Sequence, residues 1–191
     1  MQYTEGRIGR IFVVRIDDGE DLLQVLREFI RDREIDAGSV VFLGALKEGK
    51  MVTGPEEPVI PPVPHYVFFE GGWEIFGMGT IYPGDGGPQI HIHSSVGRAG
   101  HALTGCLRET AVTYLIVEAV IYEITGLSAK KEYDPKTQLI LPVLGDRANP
   151  EEQESGKKPV TAPRKGKTDE PKDLPGGLAD IIRDLTRRPP V

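Results

Sequence analysis

One cysteine, Cys106, in a chain of 191 residues leaves no partner for an intrachain disulfide. A framework of cross-links is therefore excluded as the source of stability, and a reducing, cytoplasmic setting is expected. No apolar run approaches the roughly 18 residues that a membrane-spanning helix requires. The opening MQYTEGRIGRIFVV lacks the charged-then-apolar layout of a secretion signal, so the chain reads as soluble and intracellular. Positive charge is also scarce where it would matter. Residues 1–150 hold 14 basic and 21 acidic side chains, a net of −7, and residues 151–191 hold 9 and 8, a net of +1. Proteins that grip DNA through its phosphates present a basic face, and no basic cluster is visible here. The phosphate-cradling GxxxxGK[ST] loop, a GxGxxG placed after a strand and the GxSxG nucleophile elbow are all missing.

What is present is strongly periodic. Ile8 to Ile16 is a β-branched run that predicts a strand, and Asp17 and Asp18 are placed to cap a helix after it. From Glu20 to Arg33, Leu22, Leu23, Leu26, Phe29 and Ile30 form one apolar stripe at helical spacing. Ser39 to Leu46 predicts a buried strand, so the chain opens β-α-β, an order that permits a parallel pair. Five prolines between Pro55 and Pro64 exclude a central strand and mark a loop or extended edge. Beyond them, His65–Glu70, Trp73–Tyr82, Gln89–Val96, Val112–Ile124 and Leu139–Leu144 predict strands. Gly71-Gly72 and the segment from Pro83 to Pro88 read as turns between them. Short connections predict an antiparallel sheet with the helix packed on one side, an α+β domain over residues 1–148. From 149 to 191 the chain turns charged and Pro-containing, which predicts a flexible polar tail. A short amphipathic piece at 178–188 is a candidate terminal helix, marginal on its own.

The chemistry is concentrated in a short stretch. His91 and His93 flank Ile92 on a predicted strand, so both imidazoles point to one face with Cα atoms about 6–7 Å apart. Two neutral ring nitrogens so placed can reach one metal ion. Gly97 to Gly100 then turns the chain, and the returning segment brings either His101 or Cys106 alongside. Three ligands and one open position characterise a catalytic zinc site, whereas a closed structural site takes four. His65 has no comparable companion. Glu118 interrupts the apolar run from Ala111 to Tyr122, where a buried carboxylate would need a partner. Its candidate roles are a base or supporting group beside the metal, an ion pair across a subunit contact, or simply a wet face of the strand. Gly84 to Gly87 lies between strands and reads as a hairpin turn rather than a phosphate loop.

Taken together, Gln89 to Gly100 with its His-x-His, the segment Leu103 to Leu107, and the strand Thr113 to Ile121 with its internal Glu118 resemble the plant-and-prokaryote-conserved (PPC) domain family. The helix opening at Gly19 and the strand Ala37 to Leu46 share the likeness, which spans about residues 5–145. The resemblance implies a mainly antiparallel α+β fold similar to acetolactate decarboxylase, assembled as a homotrimer, with a histidine-bound metal, commonly zinc. It also implies that the family's third histidine falls on Cys106, so that His91, His93 and Cys106 form the ligand set, with His101 the alternative third ligand. A regulatory, DNA-binding role comes with the resemblance. Plant members carry AT-hooks, but Pro163 to Lys167 lacks the Arg-Gly-Arg-Pro core that enters a minor groove. A zinc-dependent enzyme acting on a small carbonyl or ester is the second expectation.

Overall fold

The computed structural model describes residues 1–55 and 57–145. The polar tail and terminal helix expected over 149–191 lie outside the described residues. The elements run β1 (Arg7–Asp17), α1 (Leu22–Asp32), β2 (Gly38–Val52), β3 (Tyr66–Gly84), β4 (Gly87–Arg98), β5 (His101–Thr125), β6 (Ala129–Asp134) and β7 (Leu139–Leu144). All pairings are antiparallel. No helix among the described residues is long and apolar enough to cross a membrane.

The main sheet has the order β1-β5-β2-β3-β4, and β4 also pairs with β5, so four of its strands close on themselves into a barrel. Closure rests on the 25-residue β5, whose N-terminal part pairs with β4 and whose C-terminal part pairs with β1. A strand that long must bend. Two bulges set against β2 bend it, and each contains a residue in the left-handed region, Glu109 (φ 61°) and Leu115 (φ 59°). β1 and β2 run in the same direction but lie on either side of β5, so the β-α-β opening makes no parallel pair.

Gly71 and Gly72 do not form the expected turn. β3 runs straight through them, and together they face the single residue Lys47 as a bulge, Gly71 at φ 97°. The cap of α1 also differs from expectation. Asp21, not Asp17 or Asp18, accepts the Gln24 amide through Oδ1 at 2.9 Å, and its Oδ2 accepts the Ala111 amide at 2.8 Å. One carboxylate thus starts the helix and ties it to β5. Asp18 instead accepts the Leu115 amide at the second bulge.

The helix buries Leu22, Leu23, Leu26 and Ile30 against the sheet, each contributing about 1.5–3 kcal/mol of burial. Alternate residues of every barrel strand, among them Val40, Phe42, Ile75, Ile81, Ile92, Val96, Val117 and Ile121, fill the same core. Because Ile92 and Val96 point inward, His91 and His93 point outward. Their outer face is the one on which the chemistry sits.

Candidate metal centre

Register places the histidines. On β4, His91 pairs with Thr80 and His93 with Met78 of β3. The hairpin at Ala99-Gly100, both at positive φ, returns the chain as β5 and sets Cys106 directly opposite His93. Side chains directly opposite share a face with Cβ atoms about 4.5–5.5 Å apart. Donor atoms of His91, His93 and Cys106 consequently all lie within 4.8 Å of one another. The two imidazoles meet edge to face at 4.9 Å between centroids. Tetrahedral donors at ordinary zinc distances stand about 3.3–3.7 Å apart, so a contraction of roughly 1 Å would close the set on an ion.

His101 is not brought to this point. It pairs with Arg98 at the exposed hairpin tip, five residues before Cys106, an odd spacing that turns it to the opposite face of β5. Glu118 is also elsewhere. It is exposed on the outer face, opposite Arg15 of β1 and Leu43 of β2. Among the described residues the gathered donors are His91, His93 and Cys106, without Glu118. In the single chain the Glu118 side chain is exposed, so it interrupts the apolar run without needing a buried partner there. His65 is exposed in the loop before β3, its carbonyl accepting the Thr53 amide.

The electrostatics favour a neutral imidazole. Burial, then the charges of His93, Lys131 and Arg108, push the His91 pKa down to about 4. Burial raises the Cys106 thiol, and the nearby Arg108 and Lys131 act in the opposite sense, favouring the thiolate. Two neutral imidazoles and a thiolate are a donor set that zinc and other late divalent transition metals accept.

Arg108 and Lys131 stood outside the sequence reading. Arg108 had a legible signal, since it comes two residues after Cys106 and so shares its face. Lys131 had none, because β6 is the charged run AKKEYD, and only its packing against β3 brings it near.

A one-helix, closed antiparallel barrel with a His-x-His strand and a facing cysteine is a recognisable class of small α+β domain. The model of the Plants and Prokaryotes Conserved (PCC) domain matches residues 3–125, and the chain belongs to that family. Solved structures share the fold. The metal-containing protein AF0104 of Archaeoglobus fulgidus superposes with TM-score 0.67 at 24% identity, over 75% of this chain and 99% of that one. A plant- and prokaryote-conserved protein of Pyrococcus horikoshii gives 0.65 at 24%, over 76% and 99%. A Bacteroides thetaiotaomicron protein named as a candidate DNA-binding protein gives 0.61 at 23%, over 75% and 98%. No curated protein matches the chain.

Proposed function

We propose that this chain is a metal-binding PCC domain protein that assembles as a homotrimer and serves a regulatory role. His91, His93 and Cys106 would hold zinc or another divalent transition metal. The observation that carries the reading is the convergence of those three donors within 4.8 Å on one outer face. The metal-containing Archaeoglobus protein of the same fold adds support. When bound, the metal supplies a Lewis-acidic centre with a coordination position left for a ligand. The chain's own residues do the rest. The register of β4 and β5 presents the donors on one outer face.

Self-assembly is supported by the outer face itself. The register lines up Val13, Val120, Val41 and Met78 in one row leading to His93, with Leu43 and Phe76 in the next. Val13 is 80% exposed, Phe76 65%, and Leu43 and Met78 54% each. An apolar stripe of this kind across one face of a sheet is what a second copy covers. Arg15 and Glu118 flank it and are available for an ion pair with that copy. DNA binding belongs to other proteins of this fold by name. The net charge of −7 over residues 1–150 gives it no support here.

An enzymatic reading is favoured by one observation. Among the described residues, the gathered donors number three, as in catalytic rather than closed structural sites. Elemental analysis of the purified protein together with its mass by light scattering tests the main reading. About one metal per chain in a trimer supports it, and metal-free protein after zinc reconstitution removes it.

A further inference from the structure

The two cations beside the donors have no evident structural task. Arg108 lies on β5 with its side chain on the face of Cys106. The β4–β5 register pairs His93 with Cys106. The pairing ends there, and Arg108, two residues beyond Cys106, pairs with Lys50 of β2 while its side chain keeps the face of Cys106. Lys131 approaches from another direction. β6 packs on β3, whose Thr80 is the cross-strand partner of His91. On β6, Lys131 is half-buried between exposed Lys130 and Glu132.

Neither cation is neutralised. Among the described residues, ion pairs join Arg10 to Glu123, Arg15 to Asp17, Arg31 to Asp32, Lys47 to Asp18, Lys50 to Glu109 and Lys130 to Glu132, and none reaches Arg108 or Lys131. A half-buried ammonium with no carboxylate is costly to keep, and its neighbour Arg108 adds to that cost. With a divalent ion on two neutral imidazoles and one thiolate, the centre carries a net charge of about +1, and the two cations bring it to about +3. Lys131 also lines an open recess of about 390 Å³ between the end of the β3–β4 hairpin at Pro83–Asp85 and β6 from Lys130 to Tyr133, with Asp85 and Glu132 as its acidic residues.

We infer that Arg108 and Lys131 form an oxyanion-binding pair beside the His91–His93–Cys106 centre, selecting a small carboxylate- or phosphoryl-bearing ligand for it. The inference rests on the metal reading above and names the ligand class that centre would take. A planar guanidinium accepts two oxygens of a carboxylate or phosphoryl group at once, and an ammonium adds a point charge. The ligand restores the charge balance that the protein leaves open.

The test uses the full chain reconstituted with cobalt(II), whose visible spectrum reports coordination. Acetate and inorganic phosphate are titrated separately, with calorimetry as a second readout. At least one of the two should shift the cobalt bands saturably in the wild type. Arg108→Met and Lys131→Met should each weaken that binding about tenfold while retaining metal. Lys136→Met removes the same charge from an exposed side chain between β6 and β7, outside the recess, and should leave the affinity unchanged. Lys131→Arg keeps the charge and should recover most of it.

Metal bound by every variant, with anion affinity absent or equal in wild type, Arg108→Met and Lys131→Met, would overturn the oxyanion pair and leave the metal centre standing. Equal weakening in Lys136→Met and Lys131→Met would also overturn it, since general charge alone would then account for binding. A wild type that takes up no metal would remove the centre itself, and the oxyanion pair with it.

Discussion

At Glu123 a single carboxylate accepts three hydrogen bonds from Arg10: from its backbone amide at 3.0 Å, from Nε at 2.8 Å and from Nη2 at 2.6 Å. The site is a bulge where Gly9 and Arg10 of β1 together face Glu123 of β5, so the fork closes what the ladder leaves open. The guanidinium holds the Glu123 carboxyl down at about 2. A carboxylate depressed in the folded state stabilises above its unfolded pKa and loses that contribution as pH falls through the folded value. Glu123→Gln should therefore cost about 1 kcal/mol at pH 7, a modest figure because Arg10 is half-exposed. The difference between variant and wild type should shrink as pH falls from about 4.5 towards 2. Urea melts across that range check it, and a gap independent of pH would contradict the ion pair. Nothing in the sequence marked this pair, because Arg10 and Glu123 stand 113 positions apart and meet only through a bulge.

Among the elements, β4 and β5 carry the candidate centre, and the close approach of β5 to β2 beside it depends on glycine. A Cβ at Gly105 would collide with the Val52 carbonyl, since β2 and β5 meet there edge to edge beside Cys106. Gly105→Ala should cost about 1–3 kcal/mol and lower metal affinity by displacing the neighbouring cysteine. Gly97→Ala, in the same hairpin, meets only the His101 carbonyl at 3.8 Å and should be nearly neutral. Thermal melts and metal titrations of the two variants distinguish local crowding from a general intolerance of alanine. The strands were mostly legible from β-branched runs, and α1 from its stripe at Leu22, Leu23, Leu26 and Ile30. β3 was read as two strands because Gly71-Gly72 normally signals a turn, whereas here the pair is absorbed opposite Lys47. β6 escaped because AKKEYD alternates without an apolar face. The start of β5 at His101 was hidden too, since Gly105 and the polar residues around it dilute the β signal until Val112.

For the whole molecule, the long-range facts were the hardest to read. That β5 serves β1, β2 and β4 in turn, and so closes the barrel, depends on bulges at Glu109 and Leu115 that no propensity announces. His-x-His was visible as a same-face pair, but residue spacing alone left Cys106 and His101 open as companions. The pairing of His93 with Cys106 is a property of the folded register. The outer apolar stripe likewise appears only when the strands are laid side by side. If it is the self-assembly face, Phe76→Asp should convert the trimer to monomers by light scattering. The isolated chain should keep its fold, because Phe76 is 65% exposed and outside the core. An unchanged mass would place the contact elsewhere.

The metal centre is tested most directly by elemental analysis of the zinc-reconstituted wild type beside His91→Ala, His93→Ala, Cys106→Ala and His101→Ala. A centre built from His91, His93 and Cys106 predicts about one zinc per chain in the wild type and in His101→Ala, with loss from the other three. Zinc retained by Cys106→Ala and lost from His101→Ala, or a wild type that binds none, would contradict it.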